Sequence, residues 1–464
     1  MKKILALLLV LSMIFTLGAC ASKAATSAAA SAASTPAAST AASASASASA
    51  AASASTAASS SAAAADLTGD LHVSVQSWML NKYDFASMES DFEANHPGVD
   101  VHIDQVEDSE ITSYMLQWSQ GSTDCALVVG NSREMIVPLC AAGYVTELDD
   151  SFFSDISKDD FYPAFLQLGN IDGKQFMIPF CCEVVGISCN MQIFKEAGLL
   201  DADGNLPQPK SWDELSEMAK KISALGYTGL SIDWGTNMME YSYATTLQGI
   251  AGSIYESDGT TLDFTSDSAK ETMNTWKGLV DGGLSPTDTF ADANAGRTNF
   301  KAGTVGMLLA PASRWIECQT ELGKGNVGLM LVPGTDTNGT CAFIHGAYVC
   351  SLATPTEQEL AKLFIKEELL REDILVAAMN NFGKMSPLTA HYTKDNLDDP
   401  YWDTCLKATE TSFCMPLYKD FNKLNTSMIS EMQSCLVGEI SVDDCLGSLS
   451  DTIHNMDLSS GLGG

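Results

Sequence analysis

Residues 71–78 read Leu-His-Val-Ser-Val-Gln-Ser-Trp, and their alternation of apolar and polar side chains predicts a β-strand. Apolar residues at helical spacing follow in 85–92, and a second alternating pattern covers 99–103. The helical stripe 111–118 and the apolar run 126–129 complete the series. Strand, helix, strand, helix, strand predicts a parallel sheet with helices on its faces, which is an α/β fold.

Two strand ends in this series carry polar or aromatic residues. Trp78 ends the first strand, and Gly130-Asn-Ser-Arg133 follows the third. Ligands of parallel sheets bind at the carboxyl ends of the strands. We therefore expect Trp78, Asn131 and Arg133 to contribute to a ligand site; Trp78 could equally cap the core.

A second section begins near Pro179. Ser211-Trp-Asp-Glu214 has the pattern of a capping box and predicts the start of a helix. Further helices are predicted at 269–280, 357–370 and 426–436.

Composition and net charge exclude some classes of binding partner. The chain has 464 residues with 45% apolar content, and the part from about residue 66 onward is long enough for two lobes. Its formal net charge of −33 argues against binding to nucleic acid and against adhesion to anionic lipid headgroups. These values favour a large apolar core under an acidic surface.

The first twenty residues have the pattern of an export signal. Two lysines follow Met1, and the apolar run 4–17 is shorter than the roughly 20 residues that span a bilayer. Gly18-Ala-Cys20 resembles the end of a bacterial lipoprotein signal. We predict that residues 1–19 are removed and that Cys20 carries a lipid; an ordinary export signal with an incidental cysteine is the alternative.

Residues 20–65 are almost entirely Ala, Ser and Thr and contain nothing that could build a core after Cys20. We predict that they form a disordered tether between the lipid and a folded body, with a rigid helical stalk as the alternative.

Cysteine usage is unusual for an exported chain. Twelve cysteines follow Cys20, none of them in a Cys-x-x-Cys pair, and most lie in apolar strings. Such cysteines behave as small buried hydrophobic residues, so we expect free thiols and no metal site. Gly323–Gly328 matches a dinucleotide fingerprint by letters, but a helix precedes it and a strand follows, so no cofactor is predicted.

Four segments in a fixed order carry a family resemblance. They are Asp172-Gly-Lys-Gln-Phe-Met-Ile-Pro179, the strand Pro179–Asn190, Pro209-Lys-Ser-Trp-Asp-Glu-Leu215 and Asn299-Phe-Lys-Ala-Gly-Thr-Val-Gly-Met307. Together they resemble the family 1 extracellular solute-binding proteins, the lipid-anchored receptors of ATP-driven importers in bacteria.

The resemblance implies a two-lobed periplasmic-binding-protein-like fold of type II, in which each lobe is a sheet flanked by helices and a hinge joins them. The expected N-terminal lobe comprises 66–178 plus 296–342, and the C-terminal lobe 179–295 plus 343–464. The resemblance also implies a carbohydrate ligand, ABC-transporter permease subunits as partners and no catalytic activity.

Sugar recognition needs aromatic faces and polar groups, which gives the remaining candidates. Trp234, Tyr241 and Trp315 are candidates for stacking. The other candidates are polar, and they are Glu183, Arg314, His345 and Asn381.

Two of these polar candidates have open alternatives. In the maltose-binding branch of the family the glutamate that matches Glu183 contacts sugar, but a structural salt bridge would equally explain a carboxylate in an apolar strand. If Arg133 and Arg314 both face the cleft, an acidic sugar becomes a candidate ligand.

The resulting prediction is a monomeric receptor, anchored on the extracellular face of the membrane of a Gram-positive bacterium, that hands an oligosaccharide to its permease. Two other classes stay open: a lipoprotein enzyme that acts on glycans or peptides, and a ligand-sensing receptor that partners a membrane sensor.

Overall fold

The computed structural model describes residues 67–107, 113–235, 238–334 and 339–462, which lie in one compact unit. The predicted signal, lipidation site and tether fall outside the described residues. No helix among the described residues is long and apolar enough to cross a bilayer.

The described residues form an α/β structure. Its strands are β1 (Gly69–Gln76), β2 (Val99–Val106), β3 (Leu127–Ser132), β4 (Asn170–Ile171), β5 (Lys174–Gln175), β6 (Ile178–Asn190), β7 (Thr228–Ile232), β8 (Val305–Pro311), β9 (Val327–Met330) and β10 (Ala342–Val349). Its α-helices are α1 (Phe85–Asn95), α2 (Tyr114–Ser119), α3 (Arg133–Ala141), α4 (Pro163–Leu168), α5 (Met191–Glu196), α6 (Trp212–Ser223), α7 (Met239–Ala251), α8 (Asp267–Asp281), α9 (Ala295–Lys301), α10 (Arg314–Glu317), α11 (Gln319–Leu322), α12 (Pro355–Phe364), α13 (Glu372–Phe382), α14 (Trp402–Glu410), α15 (Phe421–Leu436) and α16 (Val442–His454).

The first sheet confirms the predicted alternation. β1 pairs in parallel with β2 and with β3, and α1 and α2 provide the crossovers between these strands. β10 then runs antiparallel to β3 and brings the late part of the chain back into this sheet.

β6 joins the two sheets. All 13 of its residues are buried. Residues 178–184 pair with β10, whereas 185–190 pair with β8 and β9. The strand order is therefore β2-β1-β3-β10-β6-β8-β7, with β9 beside β6. Each half of this order has an apolar core cluster, and a third cluster contains residues of both halves. This is the predicted two-lobed fold.

The strand partners differ from the predicted lobe boundaries in one respect. Segment 296–342 was assigned to the N-terminal lobe, yet its strand β8 pairs in parallel with β7 and antiparallel with the second half of β6. β10, which the prediction put largely in the C-terminal lobe, lies in the first sheet. The reason is that α7, α8 and α9 lie in the crossover between two parallel strands, which keeps β7 and β8 in one sheet.

The predicted helix start at Ser211 is confirmed. The Ser211 hydroxyl accepts from the Glu214 N–H at 3.2 Å, while the Glu214 carboxylate accepts from the Lys210 N–H at 2.7 Å rather than from Ser211. The N-cap is therefore present, but the reciprocal contact of a capping box is shifted by one residue.

The cysteines of the described body are free thiols. Eleven of the twelve are buried and Cys414 is partly buried, as expected for residues that act as small hydrophobic side chains.

Gly346 gives a test of the contact between β6 and β10. A Cβ at this position would lie 2.7 Å from the Ile178 carbonyl oxygen. We expect Gly346→Ala to lower the free energy of unfolding by roughly 1–3 kcal/mol, because backbone cannot move aside as a flexible side chain can. Urea denaturation of the purified protein measures this change.

The matched control is Gly447→Ala in α16. A Cβ there meets nothing within 4 Å, so this exposed position of α16 should contribute up to about 1 kcal/mol more stability with the better helix former. Equal effects of the two substitutions would show that the approach of β10 to β6 is not constrained at Gly346.

Candidate ligand-binding site

A cavity of about 530 Å³ is lined by residues from both sheets. Ser132 and His345 come from the first sheet, and Leu308 and Asp233 from the second sheet or its loops. Glu183, near the middle of β6, lies between them. A second cavity of about 870 Å³ contains none of the predicted site residues, so the cleft is the candidate site.

Half of the predicted residues lie at this cavity. They are Trp78, Glu183, Tyr241, Arg314 and His345. Their contact with a ligand stays a prediction, but their positions allow it.

Asn131 and Arg133 do not line the cavity, which corrects the prediction from the loop 130–133. Asn131 is fully buried, and its side-chain oxygen accepts from the Tyr348 hydroxyl at 3.0 Å. The Arg133 guanidinium donates to the Met415 carbonyl at 2.7 Å. Both side chains therefore stabilise the fold around the site.

Trp234, Trp315 and Asn381 are also placed elsewhere. The indole of Trp234 is buried and donates to the Pro286 carbonyl at 3.0 Å. Trp315 is buried and packs edge-on against Trp402, with ring centroids 4.8 Å apart. Asn381 is exposed near the end of α13. None of the three can stack on or bind a ligand in the cavity in this conformation.

At three positions the cavity is lined by a residue that directly adjoins a predicted one. Ser132, Glu134 and Asp233 line the cavity, and each is a direct neighbour of a wrongly chosen residue. Lys384 also lines the cavity and lies three residues beyond the predicted Asn381. A shift of one residue can turn a side chain to another face, and periodicity alone does not fix that direction in a loop.

The carboxylate of Glu183 is held by two partners. It forms a buried ion pair with Lys384, and its other oxygen accepts from the Ser313 hydroxyl at 2.7 Å. Burial raises the pKa of Glu183, but Lys384 and Arg314 outweigh it, so the pKa lies below its usual range. The structural salt bridge that the sequence left open is present, and the carboxylate still faces the cavity.

The Lys384 ammonium also lies 5.2 Å from the centre of the Trp78 ring. The Trp78 N–H donates to the Gln76 side chain at 2.8 Å, and the edge of His345 packs against the indole with centroids 5.0 Å apart. These contacts fix the orientation of the indole at the cavity wall.

A second charged cluster surrounds Glu317. Its carboxylate pairs with Arg314, with Arg297 at 3.2 Å, with Lys301 at 3.5 Å and with Lys82 at 3.9 Å. Burial opposes ionisation, but these cations outweigh it and lower the pKa of Glu317 to about 2. Because Arg314, Arg297 and Lys82 also line the cavity, Glu317 positions three donors at its edge.

His345 is neutral at physiological pH. Burial lowers the pKa of His345 to about 4, despite the nearby Glu183. One ring nitrogen lies 3.0 Å from the Gly130 carbonyl and therefore carries the proton. The other nitrogen is an acceptor.

Another part of the cavity lining is acidic and aromatic. Glu134 and Glu240 line it together with Tyr241 and Phe343, whose ring centroids are 4.9 Å apart. Burial raises the pKa of Glu240 to about 8 and that of Asp233 to about 6. Glu240 is buried and Asp233 is partly buried, and nearby cations do not offset the cost of ionising either carboxyl.

One group of possible metal ligands occurs among the described residues. Asp70, Asp100 and His102 have ligand atoms within 4.8 Å of one another on β1 and β2. All three are at least partly exposed, and none lines the cavity.

The raised pKa of Glu240 predicts a specific pH dependence of stability. The unfolded-state pKa is near 4.5 and the folded-state value is about 8, so this group destabilises the fold increasingly as pH rises from 4.5 to 8. We expect Glu240→Gln to raise the free energy of unfolding by roughly 3 kcal/mol at pH 7 and by much less at pH 5, since one pKa unit corresponds to about 1.4 kcal/mol.

Urea denaturation across this pH range compares the variant with the parent protein. Glu217→Gln is the matched control, because Glu217 is exposed on α6 and pairs only with exposed Lys220. Parallel pH curves for Glu240→Gln and the parent would contradict a buried, uncompensated carboxyl.

The fold resembles those of known binding proteins. MalE3 of T. maritima, solved with maltose bound, superposes with a TM-score of 0.71 at 18% identity over 83% of this chain and 99% of that chain. The GacH receptor of Streptomyces glaucescens, solved unliganded and with acarbose, superposes with a TM-score of 0.70 at 18% identity over 84% of this chain and 100% of that chain.

Sequence comparison gives the same class. A binding protein of Brucella abortus (strain 2308) is 25% identical over 260 residues, which are 54% of this chain. The match spans 60% of the length of that curated relative. The family model described as bacterial extracellular solute-binding protein matches residues 87–402. The chain therefore belongs to the family of bacterial extracellular solute-binding proteins.

Proposed function

We propose that this chain is the solute-binding receptor of an ABC importer and that it captures a carbohydrate in the cleft between its two sheets. One observation carries the proposal: the oriented indole of Trp78 lies at a cavity that also presents arginine, lysine and carboxylate side chains.

This combination suits a sugar. An indole can cover the C–H face of a pyranose ring, and charged groups form strong hydrogen bonds with its hydroxyls. The cavity volume of about 530 Å³ falls within the usual range of small-molecule sites, which is roughly 300–1,000 Å³.

The similar structures support a sugar ligand. MalE3 was solved with maltose and GacH with acarbose, and a binding protein of Listeria monocytogenes with the same fold was solved with cycloalternan. The family and these neighbours are binding proteins rather than enzymes, which favours capture over turnover.

Hinge closure would complete the site. Residues from both sheets line the cavity, and β6 is a continuous strand link between them. We expect the lobes to rotate about this link when the ligand binds, so that both walls contact it.

The receptor would act outside the cell as a lipid-anchored monomer. The extracellular family supports that location, and the Gly18-Ala-Cys20 pattern supports a lipid on Cys20. In a Gram-positive bacterium the lipid would retain the receptor, and residues 20–65 would let it reach its permease.

Trp78→Ala tests the site. We expect the variant to bind its sugar roughly 10- to 100-fold more weakly, because it loses the stacking surface, whereas Trp78→Phe should retain part of it. Thermal-shift screening against mono- and oligosaccharides identifies the ligand, and calorimetry measures its affinity for each variant.

Phe153→Ala is the control, since Phe153 is a partly exposed aromatic residue that does not line the cavity. Its sugar affinity should equal that of the parent. Unchanged affinity in a folded Trp78→Ala protein would remove Trp78 from the site.

Cys20→Ala tests the anchor. We expect the variant to appear in the culture medium instead of the membrane fraction and to bind sugar normally, since Cys20 is not among the residues that line the cavity. Fractionation followed by immunoblotting measures this, with Ser22→Ala as the control. Retention of the Cys20→Ala protein in the membrane would contradict lipidation at this residue.

A further inference from the structure

The acidic part of the cavity lining contains a carboxyl group that the fold leaves without a partner. Glu240, in the first turn of α7, is 6% exposed and lines the cavity. Its Oε2 has no hydrogen-bond partner, and no salt bridge within the described ranges joins it to a cation. An unpaired buried carboxyl is costly to fold, which points to a ligand group that supplies the partner.

The charged groups near Glu240 do not supply a partner for its carboxyl. Arg133 compensates the charge of the neighbouring Glu134 instead: it lies 3.5 Å from one Glu134 oxygen, and the Tyr241 hydroxyl donates to the other at 3.3 Å. Glu134 and Asp233 both add negative charge around Glu240.

A second unpaired acceptor lines the same cavity. The side-chain oxygen of Asn425, on α15, is buried and has no hydrogen-bond partner. Glu240 and Asn425 come from helices that pack against each other, so both acceptors belong to one wall of the cleft.

We propose that this part of the cavity binds a protonated amine and that the ligand is a carbohydrate with a free, unacetylated amino group. The inference rests on the proposed function and narrows it to amino sugars.

An ammonium group matches these acceptors better than a hydroxyl does. It has three donors and no acceptor, so it can satisfy Glu240 and Asn425 together, and its charge offsets the surrounding carboxylates. The rings of Tyr241 and Phe343 in the acidic part of the lining can add cation–π attraction.

Binding has a consequence for protons. Because burial raises the pKa of Glu240 to about 8, the free protein holds a proton there at pH 7. The incoming ammonium pairs with the carboxylate form, so the Glu240 proton passes to solvent as the complex forms. Amine binding at pH 7 should therefore release a proton, which calorimetry in two buffers of different ionisation enthalpy detects.

Three matched probe series test the proposal. They share hexose rings and β-1,4 linkages, from one to four units, and differ at carbon 2: glucosamine carries an amine, N-acetylglucosamine an acetamide and glucose a hydroxyl. Galacto and manno monosaccharides extend each series. We expect an amine probe to bind at least 10-fold more tightly than its acetamide and hydroxyl counterparts.

Variants locate the effect. Glu240→Gln should weaken amine binding at least 10-fold and abolish proton release while leaving the weak binding of neutral probes unchanged. Asn425→Leu should weaken amine binding several-fold through the second acceptor. Glu217→Gln, the same chemical change on an exposed helix, should change nothing.

The outcomes separate this inference from the proposed function. Equal or tighter binding of neutral probes, unaffected by Glu240→Gln, overturns the amine site and leaves a carbohydrate receptor. Binding of none of the three series also overturns the amine site, whereas the proposed function fails only if no sugar of the wider thermal-shift screen binds.

Discussion

The cleft depends on one strand that belongs to two sheets. β6 changes its hydrogen-bonding partners between Val184 and Val185, and Glu183 lies one residue away from that change. A carboxylate there is tolerated only because Lys384 and Ser313 reach it from segments beyond α13 and β8. Removing one member of a buried ion pair typically costs about 3–5 kcal/mol, so the pair fixes the segment of Lys384 against β6, and the hydrogen bond from Ser313 adds to this. The buried Glu183 carboxylate therefore holds Lys384 and Ser313 in place beside β6.

Buried carboxylates also hold several cations at the cleft of this very acidic protein. The chain carries a formal net charge of −33, yet Lys82, Arg297, Arg314 and Lys384 all line one cavity. Glu317 and Glu183 hold them there. Glu240, in the lining of the same cavity, has no such partner. The cavity therefore combines charges that are paired within the protein with one carboxyl that is not, and that carboxyl is what favours a ligand with a positive group.

Local pattern predicted the elements of the fold but not the membership of every strand. The alternation in 71–129 predicted β1 to β3 and their helices, because the periodicity of each strand and each helix shows within a few residues. The sequence did not predict that β8, in segment 296–342, pairs with β7, since partner choice depends on a crossover that spans dozens of residues. In the site, Asn131 and Trp234 were chosen where Ser132 and Asp233 line the cavity. Lys384 was not among the predicted residues, although the buried carboxylate of Glu183 in an apolar strand requires a nearby cation.

A crystal structure of the complex with the tightest-binding carbohydrate from the screen tests the central claim most directly. We expect density for the sugar in the 530 Å³ cavity, with one ring face against the Trp78 indole and polar contacts to residues of both sheets. Density for the sugar outside this cavity, or against one sheet alone with Trp78 uncovered, would contradict capture between the lobes.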